Sequence, residues 1–461
     1  MKRFFCLVVI LSIMLLTACG VQEITNQDQP QESINQIVQT NMEEKPVEFK
    51  SYTLNELQED FDQVSSTILM QNPLTFTDRE ELTKIFDQQR LLLKDGMEEL
   101  DLYRILMPAI VGIKCGHTGL NFSDAYAKFN QETPNYLPLD IKTINNKTYV
   151  VKDLMNNGIP GGSELVSING RLIGEIIPNL ISNTTADGDN QTRKYYILNH
   201  WFSGAYADYI EHADTFSIEY KESGNDTVLT KTLQGINKND LDQKTSLPQA
   251  APYSYEFIDS QYAKLIIQSF GFYDNKGRAE FEKFIDDFFA QVKEKGIGNL
   301  VLDLRDNWGG DPICSSYLFT YLIKVASPYF SEGTPYYSNL TVPMNANANN
   351  FGGNLYVLTN GVCFSSTGHL CALLKYYKLG AFIGQETGGS YLCTDGSKEL
   401  ILKNTLMKLH YSTQAYSVAV KDMTLGRGIV PDYNITPTIE DILAGTDLET
   451  AKAVDLIDQG K

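Results

Sequence analysis

The sequence is short of positive charge. Lys and Arg number 38 against 57 Asp and Glu, a formal net charge of −19. Nucleic-acid-binding proteins carry basic patches that neutralise phosphates, and so acidic a balance argues against that class. The acidity favours solubility and names no substrate. Cysteine is sparse and poorly paired. Of seven, Cys6 and Cys19 belong to an N-terminal segment treated below, leaving Cys115, Cys314, Cys363, Cys371 and Cys393. An odd number without close paired spacing is neither a disulfide framework nor a zinc site. Most of these thiols read as small buried hydrophobes. Histidine is limited to five residues, His117, His200, His212, His369 and His410, so few side chains can serve as a base near neutral pH.

What remains is an ordinary globular composition, 43% hydrophobic and 21% charged over 461 residues, enough for two or three domains. Lys2 and Arg3 precede an apolar run over residues 4–16, too short for a comfortable membrane span and laid out as a secretory signal. The run ends in Leu16-Thr17-Ala18-Cys19, which resembles a bacterial lipobox. That resemblance implies cleavage after residue 18 and lipid on Cys19, with plain signal-peptidase cleavage near Ala18 as the alternative. Residues 19–50, rich in Gln, Asn, Glu and Pro, read as a flexible tether. The expected location is the outer face of the cell membrane, held there by the lipid.

From Leu54 a helical stripe runs through Leu57, Phe61, Val64 and Ile68 and stops at Asn72-Pro73. Two further helices, over residues 79–93 and 100–113, complete an N-terminal helical region, residues 51–133. It contains Lys114-Cys-Gly-His-Thr-Gly-Leu120. Residues 134–240 are rich in strand signals. Their Ser167-Ile-Asn-Gly170 turn, with a helix over 173–181, resembles a PDZ domain, a module that binds extended peptides by strand addition; a generic Asn-Gly hairpin is the plainer reading. Residues 184–212 carry no recognisable pattern, and 237–252 read as a polar linker. Residues 250–440 alternate strand and helix, which predicts an α/β domain with a largely parallel sheet. A C-terminal helix is expected over 441–461.

Within that domain Leu355 to Thr359 is an apolar strand, Asn360-Gly361 breaks it, and a helix follows from Ser366. Ser365 therefore falls at a strand-to-helix turn, where a hydroxyl stands exposed at a positive helix end and is a candidate nucleophile. The nearby Cys363 thiol ranks below it. Ser365 lacks a Gly-x-Ser-x-Gly setting, which weighs against an α/β-hydrolase.

Three segments together carry a resemblance: Asp303-Leu-Arg-Asp-Asn-Trp-Gly-Gly310, the Ser365 turn, and Gly384-Gln-Glu-Thr-Gly-Gly389. They resemble the C-terminal processing (tail-specific) peptidases and their tricorn-core relatives over roughly residues 54–440. The resemblance implies a crotonase/ClpP-like spiral core carrying an inserted PDZ-like domain. It also implies serine peptidase activity on peptides or proteins, with no cofactor and no metal. Cys363-Phe-Ser-Ser366 matches the family's nucleophile motif at Ser365, with the Ser366 and Gly310 amides forming the oxyanion hole. Ser390 stands where tail-specific members have a catalytic lysine. The tricorn-like branch uses histidine, and His117 occupies the corresponding place. His369, one turn beyond Ser365, is the other histidine to weigh. An orienting acid is expected shortly before Gly428-Ile-Val-Pro-Asp432. Leu425 fills that place, so Asp422 becomes the candidate after a local shift. Asp303 and Arg305 are expected to brace the strand end as an ion pair. Loss of the lysine and the acid also leaves room for a retired peptidase that only binds peptides or lipids.

Overall fold

The computed structural model describes residues 49–245, 251–258 and 260–460; the expected signal segment, Cys19 and nearly all of the tether lie outside them. Helix α1 (Leu54–Gln71) begins in a capping box in which the Glu56 carboxylate accepts the Thr53 N–H at 2.9 Å. It buries Leu57, Phe61, Val64 and Ile68, the stripe read from the sequence, and ends at Asn72, ahead of a proline that cannot continue it. Helix α2 (Arg79–Arg90) is capped by Asp78, and α3 (Glu99–Gly112) is the buried member of the group. Lys114, at φ 56°, turns the chain out of α3. Strand β1 (Gly119–Asn121) and helix α4 (Asp124–Glu132) follow.

An antiparallel sheet comes next: β2 (Leu139–Ile144), β3 (Lys147–Asp153), β4 (Glu164–Ile168), β5 (Arg171–Leu172), and, after two helices, β6 (Thr215–Lys221) and β7 (Val228–Gln234). Its order is β2-β3-β4-β6-β7 with β5 on β4. Asn169 and Gly170 take positive φ in the β4–β5 turn, as an Asn-Gly hairpin requires. Helices α5 (Ile173–Ser182) and α6 (Gln191–Tyr209) bury Ile176, Leu180, Phe202 and Tyr206 against the sheet. The unassigned segment 184–212 is thus largely α6, with a kink at Trp201. Its weak amphipathic signal comes from burying parts of several faces. The expected linker carries a short polar helix, α7 (Lys238–Thr245), which buries no side chain.

The third layer is built on β8 (Tyr253–Ile258), β9 (Tyr262–Ile267), β10 (Asn299–Asp303), β11 (Asn354–Thr359), β12 (Ala381–Gly384) and, later in the chain, Tyr433–Asn434. The order is Tyr433–Asn434, β12, β11, β10, β9, β8, all parallel except β8. Helices α8 (Asn275–Glu294), α9 (Pro312–Leu322) and α10 (Ser366–Tyr376) supply Phe281, Phe288, Leu318, Phe319, Leu370 and Leu373 to one core. The α/β class expected for this part is the one observed.

The expected boundary at residue 250 is too clean. After β12 the chain forms β13 (Leu392–Asp395), β14 (Lys398–Ile401), β15 (Lys408–Tyr411), β16 (Gln414–Ser417) and finally β17 (Tyr433–Asn434). β15 pairs with β1 from the N-terminal region, and Leu402, Met407 and Leu409 pack into the α1–α3 core. Asp60 of α1, fully buried, accepts the Thr405 N–H at 2.7 Å, its hydroxyl at 2.6 Å and the Asn404 N–H at 2.9 Å. These bonds satisfy the buried carboxylate, which makes them a structural tie. Pairings so distant in sequence leave no local pattern.

The C-terminus forms two helices, α11 (Ile439–Ala444) and α12 (Leu448–Asp458), split at Gly445 in a left-handed cap. Arg305 fixes α12 to the end of β10. It donates to both Asp303 oxygens at 2.8 and 2.6 Å, to Asp447 at 2.8 Å and to Glu449 at 3.1 Å. The brace expected of Asp303 and Arg305 is there, extended by two carboxylates. Arg305→Met should lower unfolding free energy by roughly 3 kcal/mol, because it leaves buried carboxylates without their cation; Lys264, 3.4 Å from Asp303, keeps the loss at the low end. Urea denaturation of the two proteins checks this.

Candidate active site

Ser365 sits between β11 and α10 at φ 53°, ψ −127°, a conformation non-glycine residues rarely adopt and one that costs about 1–3 kcal/mol. Bare backbone surrounds it. A Cβ on Gly309 would fall 2.7 Å from the Ser365 Cβ and from the Phe364 carbonyl; one on Gly389 would fall 3.0 Å from the Ser365 nitrogen. The Gly389 N–H donates to Cys363 at 2.8 Å. In the same motif Thr387 accepts the Ile429 N–H at 2.7 Å and donates to the Gly389 carbonyl at 2.6 Å. Glu386 takes Arg427 in a fork at 2.9 and 3.0 Å. The conspicuous residues of 384–389 therefore hold the serine turn against the 427–429 segment.

Two amides flank Ser365. The Ser366 N–H opens α10, and Gly310 stands at φ 134° one residue past the glycine packed on Ser365. Among the described residues neither N–H has a hydrogen-bond partner. Gly310 is held from behind by Phe270, whose N–H donates to Gly309 at 2.9 Å and whose carbonyl accepts from Asp311 at 2.8 Å. Free N–H groups at a helix start favour developing negative charge.

His117 lies in the same place. Its ring stacks on Phe364, the residue before the serine, with centroids 4.5 Å apart. Gly116 allows this approach, since a Cβ there would lie 2.6 Å from the Phe364 ring. The turn is anchored to the C-terminal strands: Cys115 Sγ meets Thr394 Oγ1 at 2.8 Å, and the Ser412 N–H donates to Thr118 Oγ1 at 3.3 Å. The structure thus brings Ser365, His117, Gly310 and Ser366 together.

It does not bring Asp422. That residue lies on an exposed turn at φ 58° and, among the described residues, makes no hydrogen bond or ion pair with His117. The reason is steric. The following loop is pinned at Gly426 against Gly188, where a Cβ on Gly188 would lie 2.3 Å from the Gly426 Cα, and at Gly428 against Thr387, where a Cβ on Gly428 would lie 1.8 Å from the Thr387 carbonyl. Asp422 is left on the outer arm. The carboxylates near His117 are Asp395, 4.0 Å from Nε2 and 42% exposed on its side chain, and Asp187, 4% exposed, which accepts the Gly116 N–H at 2.7 Å. Asp187 comes from segment 184–212, which carried no motif. So does Arg193, a buried guanidinium 3.5 Å over the Phe364 ring. Burial pushes the Arg193 pKa down to about 10, against the pull of Asp187.

Other candidates fall away. Cys363 is fully buried and donates to the Leu304 carbonyl at 3.0 Å; burial pushes its thiol far up, which suppresses the thiolate. His369 points into the core beside Phe330, and burial takes its pKa down to about 3. Ser390, at the position of the missing lysine, is buried. A cleft of about 820 Å³ opens between the β2–β3 hairpin, α6 and the sheet end, lined by Asn145, Tyr196, Asp306 and Pro431 among others; neither Ser365 nor His117 lines it. No group of three or more His, Cys, Asp or Glu among the described residues is placed to hold a metal.

Residues 261–435 match the model of peptidase family S41. Among solved structures, mature CPAF complexed with lactacystin superposes with a TM-score of 0.62 at 12% identity, over 88% of this chain and 99% of that one. Mature CPAF gives 0.61 at 13%, over 88% and 98%. The photosystem II D1 C-terminal processing protease gives 0.42 at 14%, over 86% and 98%. At these identities the likeness is one of fold. No curated protein matches the sequence.

Gly309→Ala should lower fluorophosphonate labelling of Ser365 by 10²-fold or more, on the order of losing an oxyanion donor, with the far-UV spectrum unchanged. His369 generates a second expectation. Its native pKa lies below the ordinary value of 6.5, so below pH 6.5 the unfolded chain binds a proton the native state refuses. Stability is complete above that pH and falls as pH drops toward 3. In His369→Leu the loss of melting temperature between pH 7 and 4.5 should be smaller than in the wild type.

Proposed function

We propose, from the match of residues 261–435 to the model of peptidase family S41, that the protein is an extracytoplasmic serine endopeptidase. Ser365 Oγ attacks the carbonyl carbon of the scissile bond while His117 takes the hydroxyl proton. The carbonyl oxygen, now negative, is received by the Gly310 and Ser366 amides. Collapse expels the amine, which takes the proton from the imidazolium, and leaves an acyl-serine. Water, deprotonated by the same imidazole, then releases the acid and restores Ser365. The observation that carries the reading is the left-handed Ser365 at a helix start, flanked by two unpartnered N–H groups.

The remaining parts of the proposal follow the chain. Cys19 carries the lipid that holds the enzyme at the outer face of the cell membrane, and two acyl chains suffice for stable anchoring. The antiparallel sheet of residues 139–234 with α5 and α6 acts as a PDZ-like reader that adds a substrate strand to its edge. Its β2–β3 hairpin borders the 820 Å³ cleft shared with the core domain, which supports a substrate path between the two.

The test compares fluorophosphonate labelling and peptide turnover in wild type, Ser365→Ala and His117→Ala. Both variants should lose turnover by several orders of magnitude. Wild-type protein that neither labels nor cleaves would mean a retired peptidase. Cys19→Ala should move the protein from the membrane to the soluble fraction; continued partition with membranes would rule out the anchor.

A further inference from the structure

Among the described residues, several buried polar atoms around the Ser365 turn have no partner, including His117 Nδ1, Asp187 Oδ2 and the Arg193 Nε and Nη1 atoms; the first two matter here. One can donate and the other accept, and leaving either unpaired costs about 1–3 kcal/mol. They sit on segments already tied to each other. Asp187 Oδ1 accepts the Gly116 N–H at 2.7 Å, and the next residue, Gly188, donates to the Lys114 carbonyl at 2.9 Å. Two bonds therefore dock the 187–188 loop on the 114–117 turn, one residue from the imidazole. The carboxylate is only 4% exposed.

We propose that Asp187 is the positioning residue for His117, fixing the orientation of the imidazole and stabilising the imidazolium formed during catalysis. The proposal rests on the Ser365/His117 reading above. Other charged or titratable groups face this imidazole: Asp395 from β13, Arg193 from α6, His369 from α10 and His410 from β15. The two histidines are buried or half-buried and their pKa values are lowered, chiefly by burial. Burial raises the Asp187 pKa, while His117, the Gly116 N–H and Arg193 all pull it back toward the charged form. Asp395 is the competitor. Its side chain is 42% exposed, it stands 4.0 Å from the ring, and its Oδ1 already accepts from Ser397 at 2.8 Å. A solvated pair at that distance is worth little, whereas an enclosed carboxylate acts through a low dielectric.

The location has a further meaning. Asp187 and Leu425 line the same small cavity, with Phe76, Tyr391 and Arg427. The apolar residue at 425 and the acid at 187 thus occupy one space from two loops. A carboxylate there can come from either chain segment, and this sequence supplies it from the one before α6.

The experiment measures kcat, KM and the pH–rate profile on one peptide. Asp187→Asn keeps an acceptor for Gly116 but removes the charge. It should cut kcat by 10²-fold or more with little change in KM, and move the acid limb of the profile to lower pH, since the imidazolium has lost its counter-charge. Asp187→Glu should recover part of the loss, and Leu425→Glu should recover part of it in an Asp187→Ala background. Asp395→Asn should change kcat by less than about fivefold. The proposal is overturned if Asp187→Asn behaves as wild type, if its loss comes with an unmoved acid limb, or if Asp395→Asn shows the larger effect. Should Asp187→Asn fail to fold, the Asp187→Ala, Leu425→Glu double variant decides: recovery supports the assignment and inactivity in a folded protein overturns it. Wild-type activity in Ser365→Ala or His117→Ala would instead sink the underlying mechanism.

Discussion

The backbone of Ser365 can hold its left-handed turn only where other segments come up to it without side chains. Gly309 closes on it from the β10 loop at a distance no Cβ would permit, and Gly389 from the β12 loop at one that would crowd a Cβ. A strained turn of this kind persists when its surroundings over-determine it. Here the surroundings are the Thr387 and Glu386 hydrogen bonds, the Phe270–Gly310 bridge and the start of α10. Beside this turn the Ser366 and Gly310 N–H groups have no hydrogen-bond partner among the described residues.

Charge around this turn is sorted by burial. His117 and His369 are both near Ser365 but in different surroundings. His369 is enclosed by the core and held neutral, its pKa pushed down to about 3. His117 keeps partial contact with solvent and stacks on Phe364. The thiols near the turn show the same logic in reverse: Cys363 and Cys393 are buried and burial raises their pKa values, which suppresses the thiolate.

The features legible in the sequence were those written in consecutive residues. The Leu57–Ile68 stripe, the strand into Ser365, the Gly-Gly pair and the Thr387 motif each dictate structure within a few positions. The Asp303–Arg305 pair was readable, while its extension to Asp447 and Glu449 was not, since that depends on where α12 lands. Helix α6 was invisible because its buried positions are scattered around its surface and interrupted at Trp201. With it went Asp187 and Arg193. The pairing of β1 with β15 had no local signature either, and it moved residues 398–411 out of the core domain where the alternation had placed them. Asp422 was an extrapolation along the chain; the pinning of Gly426 and Gly428 sets which part of that loop faces inward.

The stitch between the N-terminal helices and the β14–β15 hairpin bears on when the site comes into being. A chain emerging from its N-terminus has its imidazole long before its hydroxyl, but the turn carrying that imidazole rests on Thr394 and Ser412, made later than Ser365 itself. The 115–118 turn is therefore completed only when both ends of the molecule have met.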